Sequence, residues 1–223
     1  MKKALLLLIL MFFLFGSSVK ATEINLGHPI ADNSLFSNLP NTNNGGNTNE
    51  LDLDCCNIPV HIVMNFTNFT LIPAGAIISN ARLDIYSFNE ISTHWWENTI
   101  NISEINTTWT ESDSTWNNLA YQRNVSTAVH NITTQAEQTW WNITVTNIVQ
   151  HWIDTGVING FYIEAYGGST TGQYCHNRPR EYSDPSLGAY LIIKYNIPTT
   201  TTIPVVTFNW LDNKLISWII KVF

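Results

Sequence analysis

An all-β fold is what this 223-residue sequence predicts: an antiparallel β-sandwich of jelly-roll type, crossed by one short helix. Three observations predict it. Apolar residues recur at every second position in several short runs, which is the period of a half-buried strand. A single stretch in the body of the chain, around Ile148–Asp154, changes to helical spacing. Strand-period segments resume on the far side of that helix, an order that suits a sandwich better than an α/β core.

Taken along the chain, residues 1–21 read as a secretory signal peptide. Lys2 and Lys3 form the charged end and Ala4–Phe15 the apolar stretch, with Val19 and Ala21 supplying the small residues of a cleavage site before Thr22. The sandwich then occupies 22–196. Leu51, Leu53 and Cys55 alternate toward one face, which leaves Cys56 on the other. Trp141, Ile143 and Val145 alternate in the same way. Ile148, Val149, Trp152 and Ile153 fall on one helical face, with Thr146 or Asn147 placed to cap the start and Gly156 to end the last turn. Phe161–Tyr166 and Ala189–Tyr195 return to strand character. Residues 197–208 contain Pro198, Thr199–Thr202 and Pro204 and form an extended spacer that cannot build a core. Residues 209–223 wind into an amphipathic helix, with Leu211, Leu215, Ile216, Trp218 and Ile219 on a broad apolar arc opposite Lys214 and Lys221. That tail is too short to span a bilayer. It is expected to lie on a membrane surface or to dock on protein.

Composition narrows the function. Charged residues make up 12% of the chain and the net charge is −7, with Lys and Arg scattered, so nothing attracts a nucleic-acid backbone. Solubility rests on 27 Asn and 25 Thr. Seven Asn begin N-x-S/T sequons: Asn65, Asn68, Asn101, Asn106, Asn124, Asn131 and Asn142. The 3 cysteines of a secreted chain imply one pair and one leftover thiol. A bridge from Cys55 or from Cys56 to Cys175 is expected, and the spacing does not choose between them.

The chemistry of catalysis is thin. Nucleophile elbows, phosphate-binding glycine loops and zinc-protease motifs are missing from the sequence. Glu104, Glu111, Asp113 and Glu137 are the only carboxylates worth combining into a glycosidase-like pair. No cofactor is called for. Calcium is the one candidate ion, on oxygens of Asp32, Asp52, Asp54 or Asp184. Aromatics are more telling, since 9 Trp, 8 Tyr and 10 Phe exceed what a minimal core needs. Sugar rings stack on exposed aromatic faces. The doublets Trp95-Trp96 and Trp140-Trp141 each set one indole on each face of a strand, which leaves one outside the core. Trp109, Trp116 and Trp152 read first as core packing.

Five segments also resemble, in order, one known family. These are ADNSLFSNLPNTNNGG (Ala31–Gly46), IPAGAIISNARLDIYSF (Ile72–Phe88), TWTESDSTWNN (Thr108–Asn118), the strand, helix and strands from Trp140 to Tyr195, and within them Arg180-Glu181 followed by Asp184-Pro185. Together they resemble the DNRLRE domain, which overlaps the family 96 carbohydrate-binding modules and the disaggregatase-related repeats. Residues 30–195 are covered. The sequence departs where Asn65-Phe66-Thr67 stands in place of a Phe-Asp pair. The resemblance implies a non-catalytic module that binds polysaccharide or a cell-envelope glycan, extracellular, either free or held at the cell surface. With the aromatic surplus it nominates Trp96, Trp116, Asn117, Trp140, Arg180 and Glu181 as ligand contacts. Arg180 and Glu181 also read as a simple ion pair holding the last loop. The competing expectation is a structural or adhesive, glycosylated surface protein.

Overall fold

The structure is a computed structural model that describes residues 21–46, 49–54, 58–88, 98–132, 138–166 and 175–198. All of the expected signal peptide but Ala21, most of the Thr/Pro spacer, the amphipathic tail, Trp95, Trp96, Cys55, Cys56 and Glu137 lie outside those residues. A compact unit runs from Lys20 to Ile197. No helix among the described residues is long and apolar enough to cross a membrane.

Among the described residues eleven strands form two antiparallel sheets: β1 (Ala21–Asn25), β2 (Ala31–Phe36), β3 (Leu51–Leu53), β4 (Val60–Asn65), β5 (Ile77–Ser87), β6 (Asn98–Ile105), β7 (Arg123–Ile132), β8 (Thr139–Thr144), β9 (Phe161–Tyr166), β10 (Cys175–Asn177) and β11 (Tyr190–Asn196). The first sheet has six strands in the order β1-β11-β5-β10-β3, with β8 also paired to β5. The second has five, in the order β2-β4-β9-β6-β7. The predicted antiparallel sandwich is thus present. Its backbone is β5, which pairs with β11 along one side and with β8 and then β10 along the other.

Alternation decides which side chains meet between the sheets. From the six-stranded sheet come Leu83, Ile85, Trp141, Ile143, Leu191 and Ile193. Ile62, Met64, Ile100, Ile102, Phe161 and Ile163 face them from the five-stranded sheet. The helix α2 (Thr146–Thr155) seals the core with Ile148, Val149 and Trp152. Trp152 is 1% exposed and meets Phe69 edge-on at 5.5 Å and Phe161 at 4.6 Å.

The helix starts differently from expectation. Val145 is its N-cap and Thr146 its first residue. The Thr146 hydroxyl instead accepts from the Ala81 backbone N–H at 2.9 Å and ties the helix to β5. Gly156 ends the helix as predicted, at φ 70°.

A second helical turn, α1 (Trp116–Leu119), was not expected. Thr115 caps it by accepting from the Asn118 N–H. The segment around it covers the outer face of the five-stranded sheet. There Leu35, Val63, Ile105, Leu119 and Tyr162 form a satellite cluster, with Trp109 and Trp116 half-buried against it. Trp109 Nε1 donates to the Asn159 carbonyl at 2.7 Å. Next to it, Gly160 sits at φ 95°, and a Cβ there would lie 2.2 Å from the Met64 carbonyl oxygen, so only glycine lets β9 begin against β4.

Cys175 carries a free thiol, 1% exposed and within 3.2 Å of Ser87 Oγ. Burial pushes it up to about 12. Its register partner on β3 is Leu53, two residues short of Cys55. The bridge expected between Cys175 and Cys55 or Cys56 is therefore not formed at its described end.

Candidate functional site

The outer face of the six-stranded sheet collects aromatic side chains that are far apart in sequence. The period of two that buries Trp141 turns Trp140 outward, as expected, and leaves it half-exposed. Register sets Trp140 opposite Tyr86, and Tyr190 opposite Asp84 on the other side of β5. The rings of Tyr86 and Trp140 stand 5.2 Å apart, those of Trp140 and Tyr190 5.8 Å, and that of His28 lies 4.4 Å from Tyr190. Four rings thus form one strip across three strands. Their planes are tilted by 65°, 43° and 44° in turn, so the strip is faceted, not flat.

Polar groups flank the strip on the same face. Asn142 lies opposite Asp84, and Thr144 opposite Arg82. Arg82 donates twice to the Asp84 carboxylate, each bond 2.7 Å, a fork that leaves no free charge. Further along, Lys194 pairs with Glu23 at 2.9 Å.

A second polar feature sits at one end of the sandwich, where three family-like segments meet. Asp32 is 2% exposed. Its carboxylate accepts from the Arg180 N–H at 2.8 Å, and its own N–H donates to Glu111 at 3.1 Å. The Arg180 guanidinium reaches Glu111 at 2.5 and 3.3 Å and lies 2.5 Å from Glu181. Asn43 donates to the Glu111 carbonyl at 2.5 Å, which joins the Asn/Gly-rich turn to the clamp. Burial, more than the neighbouring carboxylates, raises Asp32 to about 7, and burial also raises Glu181.

The structure divides the nominated contacts between these two places. Trp140 is in the aromatic strip. Arg180 and Glu181 are in the clamp, where their charges are turned on Glu111 and on each other. Asn117 stands exposed near the clamp and donates to Asn41 at 2.8 Å. Trp116 leans on His61 with ring centres 4.8 Å apart and belongs to the satellite cluster. Trp96 lies outside the described residues. Sequence reasoning missed Tyr86, Tyr190 and His28, because only strand register brings them to Trp140.

The other nominated groups do not converge. Asp32 shares a corner with Glu111 and Glu181, their ligand atoms within 4.8 Å of one another, but the Arg180 cation already lies among them. Asp52 belongs instead with Glu50 and His176. Asp184 caps the exposed turn at Ser186, and Asp54 is buried beside β3. No group of ligand atoms among the described residues joins the four aspartates proposed for calcium. The described carboxylates weighed as a glycosidase pair each have their own partner: Glu104 binds His151 and Asn124, Glu111 binds Arg180, and Asp113 accepts from Thr110.

The two-sheet antiparallel sandwich thus carries a ring-lined outer face, and among the described residues the cations on that face, Arg82 and Lys194, are paired. The chain belongs to carbohydrate-binding module family 96, whose model matches residues 28–195. Carbohydrate binding is the property that this family supports. A search of curated proteins gives no match.

Proposed function

We propose that the protein is a secreted, non-catalytic module that holds a polysaccharide on the outer face of its six-stranded sheet. The observation that carries this reading is the strip His28–Tyr190–Trp140–Tyr86, with Asn142 and Thr144 beside it to bond sugar hydroxyls. Aromatic faces bind the C–H faces of sugars, and hydroxyl partners fix orientation. The facets favour a single, twisted glycan chain over a flat crystalline surface. The non-catalytic part is supported by the described carboxylates weighed for catalysis, which are engaged by His151, Arg180 and Thr110. The secretory route is supported by the n-region, apolar stretch and small residues of positions 1–21.

Titration of the protein with a panel of soluble polysaccharides, followed by intrinsic tryptophan emission, tests the reading. Trp140→Ala is expected to weaken binding by ~1 kcal/mol or more, and Trp140→Phe by less, with thermal unfolding little changed. Equal affinity of wild type and Trp140→Ala would move the site elsewhere. Binding to no glycan at all would favour the structural or adhesive surface protein.

A further inference from the structure

The sequon Asn142-Ile143-Thr144 lies within the strip. Asn142 and Thr144 are exposed, and both side chains project from the face that carries Trp140. The Asn142 amide donates to the Trp140 carbonyl at 3.3 Å, a weak local bond that leaves its Nδ2 free to react. Five other sequons lack this combination. Ser103, the hydroxyl of the Asn101 sequon, is 5% exposed. The Asn65 side-chain oxygen is buried without a hydrogen bond. Asn124 gives its amide to Glu104. Asn68 and Asn106 are exposed but stand on connections of other elements, away from β8.

We propose that Asn142 is an N-glycan acceptor and that the attached glycan covers Trp140, so that modification closes the aromatic strip to polysaccharide. This rests on the strip being the carbohydrate-binding face. In the transfer, Asn142 Nδ2 bonds to the anomeric carbon of a lipid-phosphate-linked oligosaccharide. The anomeric carbon–oxygen bond breaks, the lipid phosphate leaves with the electron pair, and the amide gives up one proton. The first sugar is then tethered two residues from an indole on the same face, at an effective concentration that no free polysaccharide matches. The module would thus exist in two forms, an open one and one occupied by its own glycan.

Protein isolated from its native cells and unmodified protein from bacterial cytoplasm allow the test. Peptide mass spectrometry across Thr139–Thr144 is expected to find a glycan on Asn142, absent in Asn142→Gln and in Thr144→Ala. The unmodified wild-type protein is expected to bind polysaccharide about tenfold more tightly than the glycosylated form. Enzymatic removal of the glycan should shift tryptophan emission in the wild type and not in Trp140→Phe. An unmodified native peptide overturns the proposal, and so does a glycosylated form that binds as tightly as the unmodified wild-type protein. If no form binds polysaccharide, the carbohydrate-face reading falls while the covering of Trp140 is still decided by the emission shift.

Discussion

Two buried groups titrate against each other, and removing either should expose the other. Burial raises Asp32 from 3.8 to about 7, and burial with the Arg123 charge lowers His61 from 6.5 to about 4. Between pH 4 and 6.5 the folded chain keeps the Asp32 proton that the unfolded chain has lost, and refuses the His61 proton that the unfolded chain has gained. The Asp32 contribution is full below 3.8 and is lost as pH rises through about 7. The His61 contribution is full above 6.5 and is lost as pH falls through about 4. At about 1.36 kcal/mol per unit, these are worth about 4 and about 3 kcal/mol, with opposite slopes. Wild-type stability should therefore be nearly flat across the shared window. Asp32→Asn should leave the His61 slope alone, so that stability climbs by about 3 kcal/mol from pH 4 to 6.5. His61→Gln should show the reverse, a fall of about 4 kcal/mol toward pH 7. Urea unfolding over that range measures it. Slopes, not absolute stabilities, are compared, because the first variant also loses the bond from the Arg180 N–H and the second loses the contact with the Tyr162 hydroxyl. An Asp32→Asn slope equal to that of the wild type would refute the argument.

Other outcomes follow from particular contacts. Trp152→Ala empties the centre of the Phe69–Trp152–Phe161 contact and should cost about 3–5 kcal/mol by denaturant unfolding. Gly160→Ala sets a Cβ against the Met64 carbonyl and should leave little folded protein, as read by circular dichroism and soluble yield. Because Arg82 and Lys194 are already paired, glycan affinity should change little between low and high salt, and a steep salt dependence would point to an acidic ligand on another surface. Cys175 should resist alkylation in the native protein and react in denaturant without reductant, whereas a need for reductant would reveal a bridge to Cys55 or Cys56.

Local patterns foretold what local patterns control. Alternation placed Trp141 inside and Trp140 outside, and helical spacing with Gly156 located α2. The turn α1 went unseen because four residues are too few to show a period, although Thr115 three residues before Asn118 is a cap signal. The candidate site was half legible. Trp140 stood out as one of a doublet, but Tyr86 and Tyr190 join it only through the β8–β5–β11 register, which no short window contains. Arg180 and Glu181 drew notice as a charged pair. Their partners Asp32, on β2, and Glu111, in the turn before α1, are distant in sequence, and only the folded chain shows that Arg180 joins the three segments, its backbone N–H to Asp32 and its guanidinium to Glu111 and Glu181.

The pairing of β1 with β11 has a mechanical consequence. Ala21 lies directly opposite Asn196, so the chain enters and leaves the sandwich at one corner. Tension between those two ends would peel β1 from β11 one bond at a time, a low-force failure. Tension between the C-terminal end and a glycan held on Trp140 takes another path. It runs along β11, which carries Tyr190 of the strip and is bonded on both edges, to β1 and to β5. That path loads two ladders in shear, so their bonds resist together. If the strip holds glycan as proposed, a pull by that glycan against the C-terminal end loads the stronger of the two paths.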